Sequence, residues 1–281
     1  MGRQLNLKWL KGVDREADPS RRRILIVAAG VVALVVLAIL VEPFVPFPDL
    51  STDFSDEPLP DFKAIGDVGE RKQAFFEFLA PMVEDVNRRL LEERSKVIEL
   101  QDYFQKKGKL SEGRLEDLNE LLVAYKFEPV EKPSSETFGN LLSRVDIIPP
   151  SLALAQAAVE SGWGTSRFAR EGNNLFGMWC YEPGCGIVPA RRSAGATHEV
   201  TKYDSPRDSF EDYIRNLNTN QAYVALRAIR RELRAAGATV NGTDLARGLV
   251  KYSTQRWEYV GKIQTMIGSN DLERFDREKE T

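Results

Sequence analysis

The longest uncharged apolar stretch of the chain lies near its N-terminus. Residues 24–41 read ILIVAAGVVALVVLAILV and contain neither a charge nor a proline. A helix needs about 20 apolar residues to span a bilayer, so this stretch predicts a single transmembrane anchor. Basic residues precede it and acidic residues follow it, which predicts a cytoplasmic arm over residues 1–23 and export of the remaining chain. A cleavable signal peptide is the alternative. Its apolar region would be shorter, about 7–15 residues, and would end in small residues, whereas V-E-P-F-V-P follows Leu40.

Beyond the anchor, the chain divides by composition into four further segments. Residues 42–69 are rich in proline and acids, which predicts an extended spacer. From residue 70, apolar residues recur every three or four positions, which predicts a helical support region over residues 70–148. Residues 149–271 are expected to form the main domain, and residues 272–281 a charged tail.

The main domain has a mostly helical pattern with one strand signal. Residues 186–203 alternate weakly around S-A-G-A, which predicts one β-hairpin. The run from Ser205 to Asp208 combines a cap, a proline and an acid, and so predicts a helix start. Further helices are predicted near residues 224–236, 243–251 and 257–267. The predicted fold class is α+β, mostly helical, with a single transmembrane helix ahead of it.

Composition excludes several classes of function. A formal net charge of -3 provides no basic excess, so nucleic acid is not an expected partner. With His198 as its single histidine and Cys180 and Cys185 as its two cysteines, the chain cannot form a zinc site rich in these ligands. No G-x-S-x-G elbow accompanies His198 as a Ser-His-Asp hydrolase would require. We therefore expect no metal and no cofactor.

Glu160 is the candidate catalytic acid. Ser151 is predicted to cap a helix, LALAQAAVES, that stops at Gly162 and is apolar around most of its circumference. Burial and the negative end of the helix dipole would both raise the pKa of a carboxyl in its last turn. Trp163 offers an apolar wall beside it. A carboxyl that stays protonated can donate a proton to a glycosidic oxygen. A glutamate that merely pairs locally at the helix end is the alternative.

Four separated blocks carry a resemblance to a known family. The run AQAAVESGWGTSRFAREGNNLFGMW resembles the signature of the peptidoglycan N-acetylglucosaminidases of glycoside hydrolase family 73. The runs KYDSPRDSFEDYIRNLNTNQAY and KYSTQRWEYVGKIQTMI are similar to its second and C-terminal blocks, and KQAFFEFLAPMVEDVNRRLLEERSKV resembles the Bax-type bacterial members. The resemblance covers residues 70–271 and implies a lysozyme-like fold and an endo-β-N-acetylglucosaminidase that binds peptidoglycan glycan strands.

The resemblance also implies roles for particular residues. Glu160 matches the catalytic glutamate of the family. Glu199 occupies the hairpin region where the family often has a second acid. A tyrosine of the C-terminal block lies near the acid in the family, with Tyr259 the first choice and Tyr252 the second. The usual Y-A-T-D-P pattern around it has become Y-S-T-Q-R here.

Amide and aromatic side chains suit a sugar groove, because amides bond hydroxyls and N-acetyl groups while rings stack on sugar faces. The candidates for substrate binding are Trp163, Asn173, Asn174, Phe176, Trp179, Tyr203 and Tyr252. A plain core position is the alternative for Phe176, Trp179 and Tyr203, and it is favoured for Phe176.

Cys180 and Cys185 enclose Y-E-P-G, a turn that lets the sulfurs meet. In the oxidising compartment beyond a membrane we expect them to form a disulfide. The expected location is therefore a bacterial inner membrane, crossed once, with the catalytic domain on the periplasmic side.

Two alternatives to the glucosaminidase stay open at this stage. The first is a lytic transglycosylase or muramidase, which would use one glutamate on the same fold. The second is a non-catalytic, membrane-tethered scaffold that binds peptidoglycan. Protein partners are not indicated.

Overall fold

The computed structural model describes residues 58–190, 192 and 195–276. The predicted cytoplasmic arm, the transmembrane anchor and the first part of the spacer lie outside the described residues. Within the described ranges, no helix combines the length and the apolar character needed to cross a bilayer.

Nine α-helices are found in the described ranges, so the predicted mostly helical class is confirmed. They are α1 (Val68–Lys107), α2 (Glu112–Ala124), α3 (Ser135–Arg144), α4 (Pro150–Ser161), α5 (Arg167–Gly172), α6 (Pro206–Thr219), α7 (Val224–Ala235), α8 (Gly242–Ala246) and α9 (Trp257–Ser269). Short 3₁₀ helices cover Phe62–Ala64, Gln221–Tyr223, Arg247–Leu249 and Leu272–Phe275.

The predicted helix over 243–251 is instead α8 followed by a 3₁₀ turn. Gly248 in this turn packs against the backbone of α7, since a Cβ added there would lie 2.2 Å from the Cα of Leu226. This close approach of two backbones fixes the path of the turn, and the local sequence pattern does not show it.

The β structure is a small antiparallel sheet of three strands, where the sequence predicted one hairpin. The strands are β1 (Trp179–Cys180), β2 (Gly186–Ile187) and β3 (Glu199–Thr201), in the order β1-β3-β2. Strand β3 pairs with both neighbours, Cys180 facing Glu199 on one side and Gly186 facing Thr201 on the other. The prediction missed β1 because a strand of two residues shows no alternation.

Two hydrophobic clusters lie along α1. Its first half packs with α4, α6 and α9 into the main core, whereas its second half forms a smaller cluster with α2 and α3. Phe62, which falls in the predicted spacer, is 1% exposed and belongs to the main core, as does the fully buried Leu272 of the predicted tail. The folded part of the chain therefore begins before residue 70 and ends after residue 271.

The start of α4 differs from the prediction that Ser151 caps it. Pro149 is the N-cap residue, and Ser151 lies inside the first turn. The N–H of Ser151 donates to Asp276 Oδ1 at 2.8 Å, and its hydroxyl donates to Oδ2 at 2.5 Å. A carboxylate near the C-terminus thus bonds a backbone N–H that the helix itself leaves unpaired. The predicted cap at Ser205 is confirmed, with a capping box formed by Asp208.

Candidate functional site

Glu160 stands at the C-terminal end of a helix that is otherwise enclosed. Most residues of α4 are buried, from Pro150 to Ala158, while Glu160 itself is exposed. The helix stops at Gly162, whose φ of 58° is the left-handed conformation that glycine adopts most easily. The chain therefore turns away directly after Glu160 and leaves its carboxyl open to solvent on one side.

A buried chain of hydrogen bonds leads to this carboxyl. Tyr213 Oη donates to Gln156 Oε1 at 2.5 Å, and Gln156 Nε2 donates to Tyr259 Oη at 2.9 Å. Tyr259 in turn donates to Glu160 Oε1 at 2.6 Å. Because the phenol of Tyr259 accepts from Gln156, its own proton is directed at Glu160.

Sequence reasoning missed Gln156. The signal available was a single amide within a run of alanines and leucines, four residues before Glu160 and so on the same face of the helix. Of the two tyrosines proposed for the neighbourhood of the acid, the structure places Tyr259 in contact with it.

Opposing effects act on the carboxyl of Glu160. Burial of the helix end raises the pKa of Glu160, while the hydrogen bond from Tyr259 and the positive charge of Lys262 lower it, and the net direction is upward. Burial likewise raises the pKa of Tyr213, Tyr252 and Tyr259 above the ordinary value. These phenols are therefore neutral near pH 7 and keep the protons that they donate.

Neighbouring tyrosine rings lie between Tyr259 and an open groove. The ring of Tyr252 stacks on that of Tyr259 with centroids 5.3 Å apart, and Tyr223 lies 6.0 Å from Tyr252. Tyr252 also lines a groove of about 540 Å³ between residues 221–225 and 248–256. Its polar lining includes Gln221, Lys251, Ser253, Thr254 and Arg256. Aromatic rings beside hydroxyl, amide and cationic groups can bind a sugar chain that carries acetamido and carboxylate groups.

Glu199 holds the disulfide loop. Cys180 and Cys185 are bonded, with Cα atoms 6.2 Å apart, which confirms the predicted disulfide. Gly184 N–H donates to Glu199 Oε1 at 3.1 Å and Gly186 N–H to Oε2 at 2.8 Å. These two bonds lower the pKa of Glu199, which is 8% exposed, so it is a carboxylate with both oxygens engaged.

Trp179 is the most open of the predicted sugar-binding rings. It is 56% exposed and stacks on His198 with centroids 4.0 Å apart. Trp163, by contrast, packs its ring edge-on against Phe75 and Phe76 of α1. The structure therefore gives Trp179 a face that solvent can reach and Trp163 a place beside the main core.

The remaining predicted sugar-binding residues have partners within the protein. The amide of Asn174 donates to Met178 O and Thr201 O, and its oxygen accepts from two backbone N–H groups. Asn173 Nδ2 donates to the carbonyls of residues 203 and 204. These amides connect the end of α5 to the sheet.

Phe176 and Tyr203 also have such partners. The ring of Phe176 stacks on that of Tyr213 with centroids 3.9 Å apart, and so packs against the first residue of the hydrogen-bonded chain. Tyr203 donates to Asp212 at 2.5 Å. Among the described residues, no group of three or more His, Cys, Asp or Glu side chains could hold a metal ion.

Three comparisons show which known proteins this chain is similar to. A family model described as Glucosaminidase, mannosyl-glycoprotein endo-beta-N-acetylglucosaminidase, matches residues 135–272. Protein bax of Escherichia coli (strain K12) is 34% identical over 212 residues, which cover 75% of this chain and 74% of that protein. The catalytic domain of the autolysin Auto from Listeria monocytogenes is similar with a TM-score of 0.43 and 18% identity, covering 78% of this chain and 99% of that domain.

Proposed function

Because the chain belongs to the glucosaminidase family and is thus a glycoside hydrolase of the endo-β-N-acetylglucosaminidase type, we propose that it hydrolyses peptidoglycan glycan strands with Glu160 as general acid. The observation that carries the proposal is the carboxyl of Glu160, open to solvent at the end of a buried helix and bonded by Tyr259 at 2.6 Å.

The reaction follows from the two forms of this carboxyl. Protonated Glu160 donates its proton to the glycosidic oxygen while the bond to the anomeric carbon of N-acetylglucosamine breaks. A water molecule adds its hydroxide to that carbon and releases a proton, so Glu160 can be protonated again. Tyr259 keeps its hydrogen bond to Glu160 when the carboxyl becomes negative, which stabilises the product of proton transfer.

Glu199 fits the role of a loop anchor better than that of a base. A general base must accept a proton from the attacking water, whereas the backbone N–H groups that bond the two oxygens of Glu199 lower its pKa and so weaken it as a base. We therefore favour a course in which the acetamido oxygen of the substrate bonds the anomeric carbon as the glycosidic bond breaks. Water then adds to the same carbon, loses a proton and restores the free acetamido group. The inverting course needs Glu199 to take up a proton although the two backbone hydrogen bonds favour its charged form.

The location is part of the same proposal. The apolar stretch over residues 24–41 and its basic flank support an anchor in a bacterial inner membrane, with the hydrolase on the periplasmic side. The Cys180–Cys185 disulfide supports an oxidising compartment. Full-length protein should sediment with membranes and resist extraction by high salt, and a mature N-terminus near residue 42 would refute the anchor.

Digestion of purified peptidoglycan by wild-type, Glu160→Gln and Glu199→Gln proteins tests the chemistry. General acids typically contribute ~10²–10⁴-fold, so Glu160→Gln should lose at least that order of activity while still binding glycan. Mass spectrometry of the products should show N-acetylglucosamine at the new reducing ends. Muramic acid at those ends would indicate a muramidase, and an anhydro-muramic end a lytic transglycosylase. Full activity in Glu160→Gln would refute the proposal.

The Glu199→Gln protein separates the two courses. If Glu199 only holds the loop, the glutamine amide would place an N–H against one of the two backbone N–H donors. The disulfide loop would loosen, and activity would fall modestly. A loss as large as that of Glu160→Gln, in a protein with an unchanged melting temperature, would instead establish Glu199 as the base.

A further inference from the structure

Asp146 lies at the centre of a cluster of arginines between α1, α3 and α7. Arg234 Nη2 contacts Asp146 Oδ1 at 2.7 Å, Arg94 Nη1 lies 3.4 Å from Oδ2, and Arg230 Nε lies 3.7 Å from Oδ2. The Asp146 side chain is almost completely buried. One carboxylate thus faces three guanidinium groups.

A cavity of about 190 Å³ opens over this cluster, and its charges are far from balanced. Five arginines and one carboxylate, that of Asp146, line it, the arginines being Arg94, Arg227, Arg230, Arg231 and Arg234. Burial and the positive charge of Arg144 lower the pKa of Arg227 to about 10. Burial and the charges of Arg94, Arg227 and Arg234 lower the pKa of Arg230 to about 10, against the opposing charge of Asp146. Both groups still carry their charge near pH 7, so the cavity has a strongly positive interior.

Two of the five arginines, Arg230 and Arg234, stabilise the fold through hydrogen bonds. Arg230 donates to the carbonyls of residues 143, 146 and 147, where α3 ends and the chain leads into α4. Arg234 forms two hydrogen bonds with Asp146. These contacts explain why two guanidinium groups gather around the end of α3.

The other three arginines keep N–H groups that can donate hydrogen bonds to a ligand. Arg94 forms its hydrogen bonds and its ion pair through Nη1, and Arg227 bonds two carbonyls, also through Nη1. In the part of the chain that the structure describes, their Nε and Nη2 atoms bond no protein acceptor. Arg231 is exposed at the mouth of the cavity and likewise bonds no described residue.

We propose that this cavity binds a phosphate group. Guanidinium forks match the oxygens of phosphate, and several arginines that share one carboxylate gain most from a ligand with more than one negative charge. The phosphate could belong to the inorganic ion or to the headgroup of an anionic phospholipid. The site is separate from Glu160 and Tyr259, so the proposal goes beyond glycan hydrolysis.

Thermal unfolding of the full-length protein in a neutral detergent tests the site. Inorganic phosphate should raise the melting temperature in a saturable way, because a ligand that binds the native state stabilises it. Sodium chloride at the same ionic strength should raise it less. Arg231→Gln should weaken the phosphate affinity roughly twofold to fivefold, as expected for an exposed ion pair, and Arg231→Glu should weaken it further. The matched control is Arg247→Gln, an exposed arginine outside the cavity that should leave the affinity unchanged.

Mixed micelles of short-chain phosphatidylglycerol or phosphatidylcholine identify the source of the phosphate. Stabilisation by phosphatidylglycerol that competes with inorganic phosphate would assign a lipid headgroup, whereas stabilisation by inorganic phosphate alone would assign the free ion. The Glu160→Gln protein should bind phosphate as the wild type does, so the result does not depend on hydrolysis. Phosphate that stabilises no more than chloride, or an affinity equal in the wild type and both Arg231 variants, would overturn the proposal.

Discussion

Replacing Tyr259 with phenylalanine removes one hydroxyl from the centre of the hydrogen-bonded chain. The ring can keep its stacking on Tyr252, because that contact does not involve the hydroxyl. Two bonds are lost, the one donated to Glu160 at 2.6 Å and the one accepted from Gln156 at 2.9 Å. The change therefore tests stability and acid strength separately.

The stability effect comes from Gln156. Its side chain is fully buried, and Nε2 would lose the acceptor supplied by Tyr259. A buried donor without a partner costs about 1–3 kcal/mol. For a domain of roughly 150–250 residues, each kcal/mol lowers the melting temperature by about 2–4 °C.

The effect on the pH dependence has a definite sign. The hydrogen bond from Tyr259 lowers the pKa of Glu160, while burial raises it. Without the bond, burial is less opposed and the pKa of Glu160 rises further. A general acid works in its protonated form, so the alkaline limb of the pH–rate profile should move to higher pH.

Initial rates on purified peptidoglycan from pH 4 to 9 would measure this limb for wild type and Tyr259→Phe. Tyr252→Phe is the matched control, because its hydroxyl bonds no residue in the described part of the chain, and its alkaline limb should coincide with that of the wild type. A limb that stays in place or moves to lower pH in Tyr259→Phe would refute the assignment of Glu160 as the acid that Tyr259 supports.

Three further predictions concern stability. Asp146→Asn should destabilise the protein by about 3–5 kcal/mol in urea unfolding, because it leaves buried guanidinium groups without their carboxylate. The pKa of Asp146 is lowered in the folded state, so its stabilising effect is complete above the ordinary value of 3.8 and lost as the pH falls through the lowered one. Gly248→Ala should cost about 3 kcal/mol, because its methyl group would collide with the backbone of Leu226; a soluble variant with a wild-type melting temperature would contradict this. Reduction of the Cys180–Cys185 bond should cost only about 2 kcal/mol, because the loop is short, and the intact mass should rise by two hydrogen atoms; two free thiols in protein isolated without reductant would contradict the disulfide.

Features that depend only on residues close together in the sequence could be predicted from it. An alanine-rich helix with no polar face predicted a buried α4, and the glycine after Ser161 predicted its end. The run from Ser205 to Asp208 predicted a helix start, because a capping box lies within four neighbouring residues. Each of these features needs no information from a distant part of the chain.

Contacts between distant residues were beyond such reasoning. Gln156 and Tyr259 are 103 residues apart, and Ser151 and Asp276 are 125 residues apart. An amide in a buried helix signals that some partner exists, but the packing of α4 on α9 decides which one. For the same reason the amide of Asn174, which suits a sugar groove by chemistry, bonds the backbone around β1 instead.

The surroundings of Glu160 and Glu199 differ in a way that suits the two side chains to different chemistry. A group that donates a proton and takes one back must be tolerable both as an acid and as a carboxylate. Burial favours the first form of Glu160 and the bond from Tyr259 favours the second, so neither form is strongly excluded. At Glu199 the two backbone N–H groups favour only the carboxylate. A carboxylate fixed in one form by a loop is suited to holding that loop, whereas a carboxyl poised between two forms is suited to transferring a proton.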